Sequence, residues 1–260
     1  MSCKVIMVTS FKGGVGKSTV AANLALCFAY MGKKTLLVDC DFQMRSLDIL
    51  LGMETKIVYD SGDVLSGKAT LSDAVLKDDR NGNMYLLPAP FNWNGEIDIK
   101  KFSDMIDDAK ETIMPDYIIL DTPGSFGKEF SAAAQCSDIA YIVANNSFLS
   151  IRAAECTGRE LEELGIEERK LIINMFDMSG KSRNDRLSVV EIIDKSYLGL
   201  IGIVPYDLTM SVLQDDGKLV DAIRDRNVSK AFANICKRTE GKNIPLFTGF
   251  KGINKSKLLS

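Results

Sequence analysis

Histidine is absent from the 260 residues, tryptophan occurs once and proline six times. Without histidine there can be no Ser-His-Asp or Cys-His nucleophile and no imidazole metal centre. The six cysteines (Cys3, Cys27, Cys40, Cys136, Cys156, Cys236) include no CxxC pair. A zinc ribbon, a thioredoxin-like site and a disulfide framework are therefore without support, and each cysteine reads as a small buried hydrophobe. No apolar run approaches 18 residues, so no spanning helix is expected. The N-terminus MSCKVIMVTSF turns strand-like too early for a secretory signal, and a cytoplasmic protein is expected.

What is present is ordinary globular material, 46% hydrophobic and 26% charged. Net charge is −3 but unevenly spread: from Lys237 onward six cations face one anion, leaving −8 for residues 1 to 236. An acidic body with a basic tail does not suit a nucleic-acid binder, which needs a basic stripe on its folded surface.

Short apolar runs rich in β-formers recur at 4 to 10, 34 to 39, 84 to 89, 116 to 121, 138 to 145, 170 to 175 and 200 to 205. Several are apolar at consecutive positions, as strands covered on both faces are. Between the first two, Val20, Leu24, Phe28 and Met31 keep helical spacing and Gly32 offers an αL stop. Further helices are expected near 71 to 77, 98 to 110, 150 to 164, 184 to 195 and 217 to 238. The alternation predicts an α/β fold, a doubly wound and mostly parallel sheet with helices on both faces. One domain over 1 to 238 and a tail over 239 to 260 is the simplest division.

The strongest motif is KGGVGKST, Lys12 to Thr19, between the first strand and the first helix. Glycines let the chain turn tightly with its N–H groups inward, and the helix N-terminus adds a positive dipole end, so Gly13, Gly14, Val15, Gly16, Lys17, Ser18 and Thr19 form a polyphosphate cradle. Lys17 would reach the β- and γ-phosphates and the Ser18 hydroxyl would coordinate Mg²⁺. The pattern GxxxxGK[ST] has a glycine five before Gly16; here that residue is Phe11, followed by a second lysine, Lys12.

That extra lysine resembles the signature of the deviant Walker A ATPases, the MinD/ParA family of P-loop NTPases. The string VDCDFQMRSLDILLG and the segment ending MYLLPAP look more like its MinD branch than like partition ParA proteins. The resemblance implies a weak Mg²⁺-dependent ATPase in which two subunits enclose two ATP molecules and Lys12 reaches across the interface to the other subunit's nucleotide. It further implies that Asp41 orients the attacking water, that Asp39 lies near the metal, and that Asp121 of DYIILDTPG is the Walker B aspartate ahead of a switch II loop. Asn174 and Pro205 would hold adenine. Implied partners are a second copy of the chain, MinC-like and MinE-like proteins, and an anionic membrane face, in division-site placement. A ParA-like positioning ATPase and a non-hydrolysing scaffold are the alternatives, and nucleic acid is not an expected partner.

Two departures stand out. Ser147 occupies a place where the family usually has a glutamate that contacts the other subunit's nucleotide. In the tail, Phe247, Phe250, Ile253 and Leu258 span about 140° of a helical wheel, with Lys257 and Asn254 inside the arc and Gly249 and Gly252 weakening the helix. The tail thus reads either as a weak membrane-targeting segment with Lys251, Lys255 and Lys257, or as a solvated extension.

Overall fold

The computed structural model describes residues 3–93, 95–178, 187–210 and 226–253. Its strands are β1 (Lys4–Thr9), β2 (Thr35–Asp39), β3 (Leu76–Lys77), β4 (Met84–Leu87), β5 (Tyr117–Asp121), β6 (Ile139–Ala144), β7 (Arg169–Phe176) and β8 (Gly199–Pro205). They form one sheet in the order β3-β4-β2-β5-β1-β6-β7-β8, parallel except at the antiparallel edge pair β3–β4. Between and after them run α1 (Lys17–Tyr30), α2 (Leu47–Leu51), α3 (Ser61–Leu65), α4 (Leu71–Ala74), α5 (Ile99–Thr112), α6 (Lys128–Gln135), α7 (Phe148–Glu163), α8 (Val189–Ser196) and α9 (Asn227–Thr239).

Alternate strand residues enter two separate cores, because successive side chains point to opposite faces. Val5 and Met7 pack with Phe102, Ile106, Phe130 and Leu161 from α5, α6 and α7. Ile6 and Val8 pack with Leu24 and Phe28 of α1 and Phe232 of α9. Helix α1 is buried from Val20 through Ala29, sandwiched between the sheet and α9, so the expected single stripe is only part of its buried surface. It stops as the sequence indicates: Met31 caps it and Gly32 follows at φ +80.

The expected doubly wound sheet is present. One expected helix, 71 to 77, is corrected: α4 ends at Ala74, and Leu76–Lys77 form the edge strand β3. Thr70 and Asp73 make a reciprocal capping box that starts the short helix, whereas Val75 is already extended. The short helices α2, α3 and α6 are further additions. The expected helical residues 184–186 and 217–225 lie outside the described residues. Of the cysteines, Cys27, Cys40 and Cys236 are buried, but Cys3 and Cys136 are half-buried and Cys156 is exposed, against the expectation for them.

The tail is also corrected as far as residue 253. Phe247 is 3% exposed inside the core, and Leu246, Phe250 and Ile253 pack against it. Donors on α9 fasten this segment: Arg238 to the carbonyls of Ile244 and Pro245, Asn234 to that of Thr248, and Asn227 in a two-way pair with Lys251. Positive φ at Phe247, Gly249 and Gly252 rules out the helix that a wheel assumes. Asn254, Lys255, Lys257 and Leu258 lie outside the described residues. Among the described residues no helix is long and apolar enough to cross a membrane.

Candidate functional site

The carboxyl ends of β1, β2 and β5 converge at the middle of the sheet, where ligands of such folds bind. From β1 the chain enters residues 11–16 and then α1. Gly14 and Gly16 have φ +75 and +79, conformations costly for any other residue. A Cβ on Gly13 or Gly14 would meet nothing within 4 Å, whereas one on Gly16 would lie 2.5 Å from Asn174 Nδ2. The two outer glycines therefore leave open space in front of the loop, and Gly16 permits a close approach behind it. Val15 is buried beneath the loop and Thr19 lies in the first turn of α1. Lys12 is exposed at the rim.

Beneath the loop lie two buried carboxylates brought together by strand register, Asp39 opposite Asp121. Lys17 Nζ stands 3.2 Å from Asp121 Oδ1, with the lysine side chain 12% exposed and the aspartate 0%. Burial raises the Asp121 pKa, and the Lys17 charge with hydrogen bonds from Ser18 and Lys17 opposes it. Its other oxygen, Oδ2, is buried without a hydrogen-bond partner. A fully buried carboxylate oxygen left unpaired, with a serine hydroxyl beside it, is a fitting oxygen donor pair for a small hard cation, and the Lys17 ammonium is suited to the phosphates instead. Among the described residues no three His, Cys, Asp or Glu converge on one point. Mg²⁺ characteristically needs only one or two carboxylates, because water and substrate phosphates complete its shell.

Asp39 is used differently. Its Oδ1 accepts the Asp41 N–H at 3.0 Å and its Oδ2 accepts those of Ser46 and Leu47 at 3.1 Å each. It thus ties the loop over residues 40–46 to the start of α2. Burial and then the nearby Asp121 push its pKa up to about 7, against the pull of these three amides. Asp41, half-buried at the mouth, accepts the N–H groups of Gln43 and Met44 through Oδ1. Arg45 anchors the other side of this loop through Asp48 at 2.8 Å.

Asn174 and Pro205 do come together, in a cleft lined also by Thr19, Met175, Tyr206, Asp207 and Val228. The Asn174 side-chain amide donates to the Val15 carbonyl at 2.8 Å, so one role of Asn174 is to brace the glycine loop from 159 residues away. Met175 holds φ +53. Asp207, paired with Arg226 at 2.8 Å, is a cleft residue that the sequence reading missed. Its only local signal is its place two residues after Pro205. Ser147 caps α7, accepting the Ser150 N–H and bonding Asn145.

A family profile described as an AAA domain matches residues 3–173. The chain is 36% identical over 244 residues to the septum site-determining protein MinD of Synechocystis sp., covering 93% of this chain and 91% of that one. Among solved structures, MinD in the MinC:MinD cell division complex of Aquifex aeolicus superposes with a TM-score of 0.86 at 36% identity, covering 94% of this chain and 98% of that one. MinD of Pyrococcus horikoshii complexed with Mg-ADP superposes at 0.80 and 26% identity, covering 92% and 96%. With its glycine loop, its buried Lys17–Asp121 pair and its sheet topology, the chain belongs to the MinD/ParA family of P-loop ATPases, on the MinD side of that family.

Proposed function

We propose that this protein hydrolyses ATP as a spatial switch in division-site placement. Several similar proteins are named septum site-determining. The observation that carries the reading is the Lys17–Asp121 pair with its unpaired Oδ2, set directly beneath a loop whose glycines open onto free space. Backbone N–H groups of residues 13–19 and the Lys17 ammonium hold the triphosphate, while Asn174 and Pro205 border the base. Ser18 and Asp121 would hold Mg²⁺, which supplies charge neutralisation on the β- and γ-phosphate oxygens.

Asp41, at the mouth, orients the attacking water. The water's oxygen bonds to the γ-phosphorus as the bridge to the β-phosphate breaks, one of its protons staying on the phosphate and the other passing to solvent, which leaves ADP and inorganic phosphate. Lys12, exposed at the rim, extends from one subunit to the nucleotide of the next, so that ATP joins two copies of the chain. Pairing doubles any weak lipid contact made by the C-terminal end and so strengthens it at high local concentration. MinC-like and MinE-like proteins are the proposed cargo and activator; MinC appears with MinD in one of the matched structures.

Light scattering with Mg-ATP, Mg-ADP and no nucleotide tests the switch. Wild type is expected to dimerise only with ATP, Lys12→Ala is expected to dimerise about a hundredfold more weakly, and Asp41→Ala is expected to dimerise while releasing phosphate at least about tenfold more slowly. Wild type that remains monomeric with saturating Mg-ATP would refute the reading.

A further inference from the structure

The phosphate loop begins with an aromatic residue where the standard pattern has glycine, and phosphate binding gives no reason for one. Phe11 has no positive φ, so the backbone makes no demand for glycine there. Its ring instead reaches the loop after Asp121. Its ring centroid lies 5.2 Å from that of Phe130, and the Phe126 ring lies 5.5 Å from Phe130 at 89°, so both rings pack on Phe130. Phe130, on α6, is 1% exposed, whereas Phe126 is 53% exposed. One ring of the cluster is thus fixed in the core and one sits on a surface loop.

The neighbouring lysine has little to hold it. The Lys12 N–H donates to Ser10 Oγ at 3.2 Å. On its other side come Gly13 and Gly14, which leave the backbone many conformations. Among residues 11–14, Phe11 is the one whose side chain packs against the core. The direction in which Lys12 leaves the loop is therefore governed from the Phe11 side. The Asp121 loop is tied to the same strand end, since Thr122 donates both its N–H and its hydroxyl to the Val8 carbonyl at 3.2 Å.

We propose that Phe11, Phe126 and Phe130 form an aromatic latch through which the loop after Asp121 holds Lys12 in the orientation that reaches the second subunit. The latch rests on the dimer reading above. Phe11 and Phe126 are positioning residues, and neither touches nucleotide. Phe126 stands edge-on to Phe130, and Phe11 packs on the same ring; such pairs have a preferred geometry, so displacement of Phe126 by movement of its loop is felt through the shared ring at Phe11 and, one residue on, at Lys12.

The test uses the full chain and measures Mg-ADP affinity, melting temperature and the dimer dissociation constant in Mg-ATP. The proteins are wild type, Lys12→Ala, Phe126→Ala, Phe126→Leu and the Lys12→Ala/Phe126→Ala double variant. Phe126→Ala is expected to keep ADP affinity within about twofold and to melt within a few degrees of wild type, yet to weaken the ATP dimer about tenfold. Phe126→Leu should recover only part of that loss, because it restores bulk without a ring edge. In the Lys12→Ala background Phe126→Ala should cost nothing more, because no lysine remains to be positioned. A Phe126→Ala protein that dimerises as wild type does, or whose loss adds fully to that of Lys12→Ala, overturns the latch alone. If wild type fails to dimerise, or Lys12→Ala dimerises normally, the dimer reading falls and the latch falls with it.

Discussion

At the scale of single residues, the site is governed by two kinds of constraint, backbone conformation and buried charge. Gly16 carries both a positive φ and the close approach of Asn174 Nδ2. Gly16→Ala is expected to lower nucleotide affinity at least about a hundredfold, and stability by about 1–2 kcal/mol. Titration calorimetry and thermal melting measure these, and an unchanged affinity would show that the loop tolerates a Cβ. Asp39 supplies a pH signature. Its folded-state pKa of about 7 lies above the ordinary 3.8, so the folded state binds its proton more tightly than the unfolded one. Its contribution to stability is complete below pH 4 and is lost as pH rises through 7. Measured without Mg²⁺, wild-type stability is expected to fall relative to that of Asp39→Asn between pH 5 and 8, by no more than about 1.4 kcal/mol per pH unit. A constant difference between the two proteins over that range would contradict the assignment.

At the scale of elements, the docking of α9 on β8 depends on a missing side chain. A Cβ on Gly202 would lie 2.2 Å from Ile235 Cγ1, and Arg238 of the same helix donates to the Ile201 carbonyl at 2.8 Å. Helix α9 also carries Val228, a wall of the cleft beside Asn174 and Pro205. Gly202→Val is therefore expected to push the helix outward, to cost about 1–3 kcal/mol by overpacking, and to weaken nucleotide binding indirectly. Urea unfolding and ADP titration would report both losses. A variant with wild-type midpoint would mean that α9 repacks freely. The same element shows why periodicity misleads at the C-terminus. The aromatic residues after α9 are spaced as on a helix, yet glycine conformations, the side-chain amides of Asn227 and Asn234 and the Arg238 guanidinium lay that segment down as docked coil.

For the molecule as a whole, the end of the chain separates into a structural part and a remainder. Truncation after residue 245 removes Phe247 from the core, and loss of a buried phenylalanine costs about 3–5 kcal/mol. Truncation after residue 253 leaves every contact described here intact. The shorter protein is expected to melt several degrees lower than wild type, and the longer one within about a degree. Equal melting of the two would place Phe247 outside the cooperative unit. With anionic vesicles, sedimentation of the longer truncation against the full chain then asks whether residues 254–260 contribute to lipid binding, without the confusion of a destabilised fold.

Local chemistry was legible in the linear chain. Consecutive apolar residues in DYIILD and LIGIV mark strands covered on both faces, and KGGVGKST marks a loop for phosphate, because glycine conformations and side-chain polarity act over a few residues. Sheet class and the positions of Lys17, Ser18 and Asp121 follow from that pattern. Register and distant packing were not legible, since they depend on which surfaces meet. Only the folded chain sets Asp39 opposite Asp121 and so raises its pKa. Only folding brings the Asn174 amide under Val15, joins Phe11 to Phe130, and takes Phe247 from a supposed tail into the core. Each of these contacts links residues far apart in sequence, and no periodicity or motif specifies such partners until the sheet has assembled.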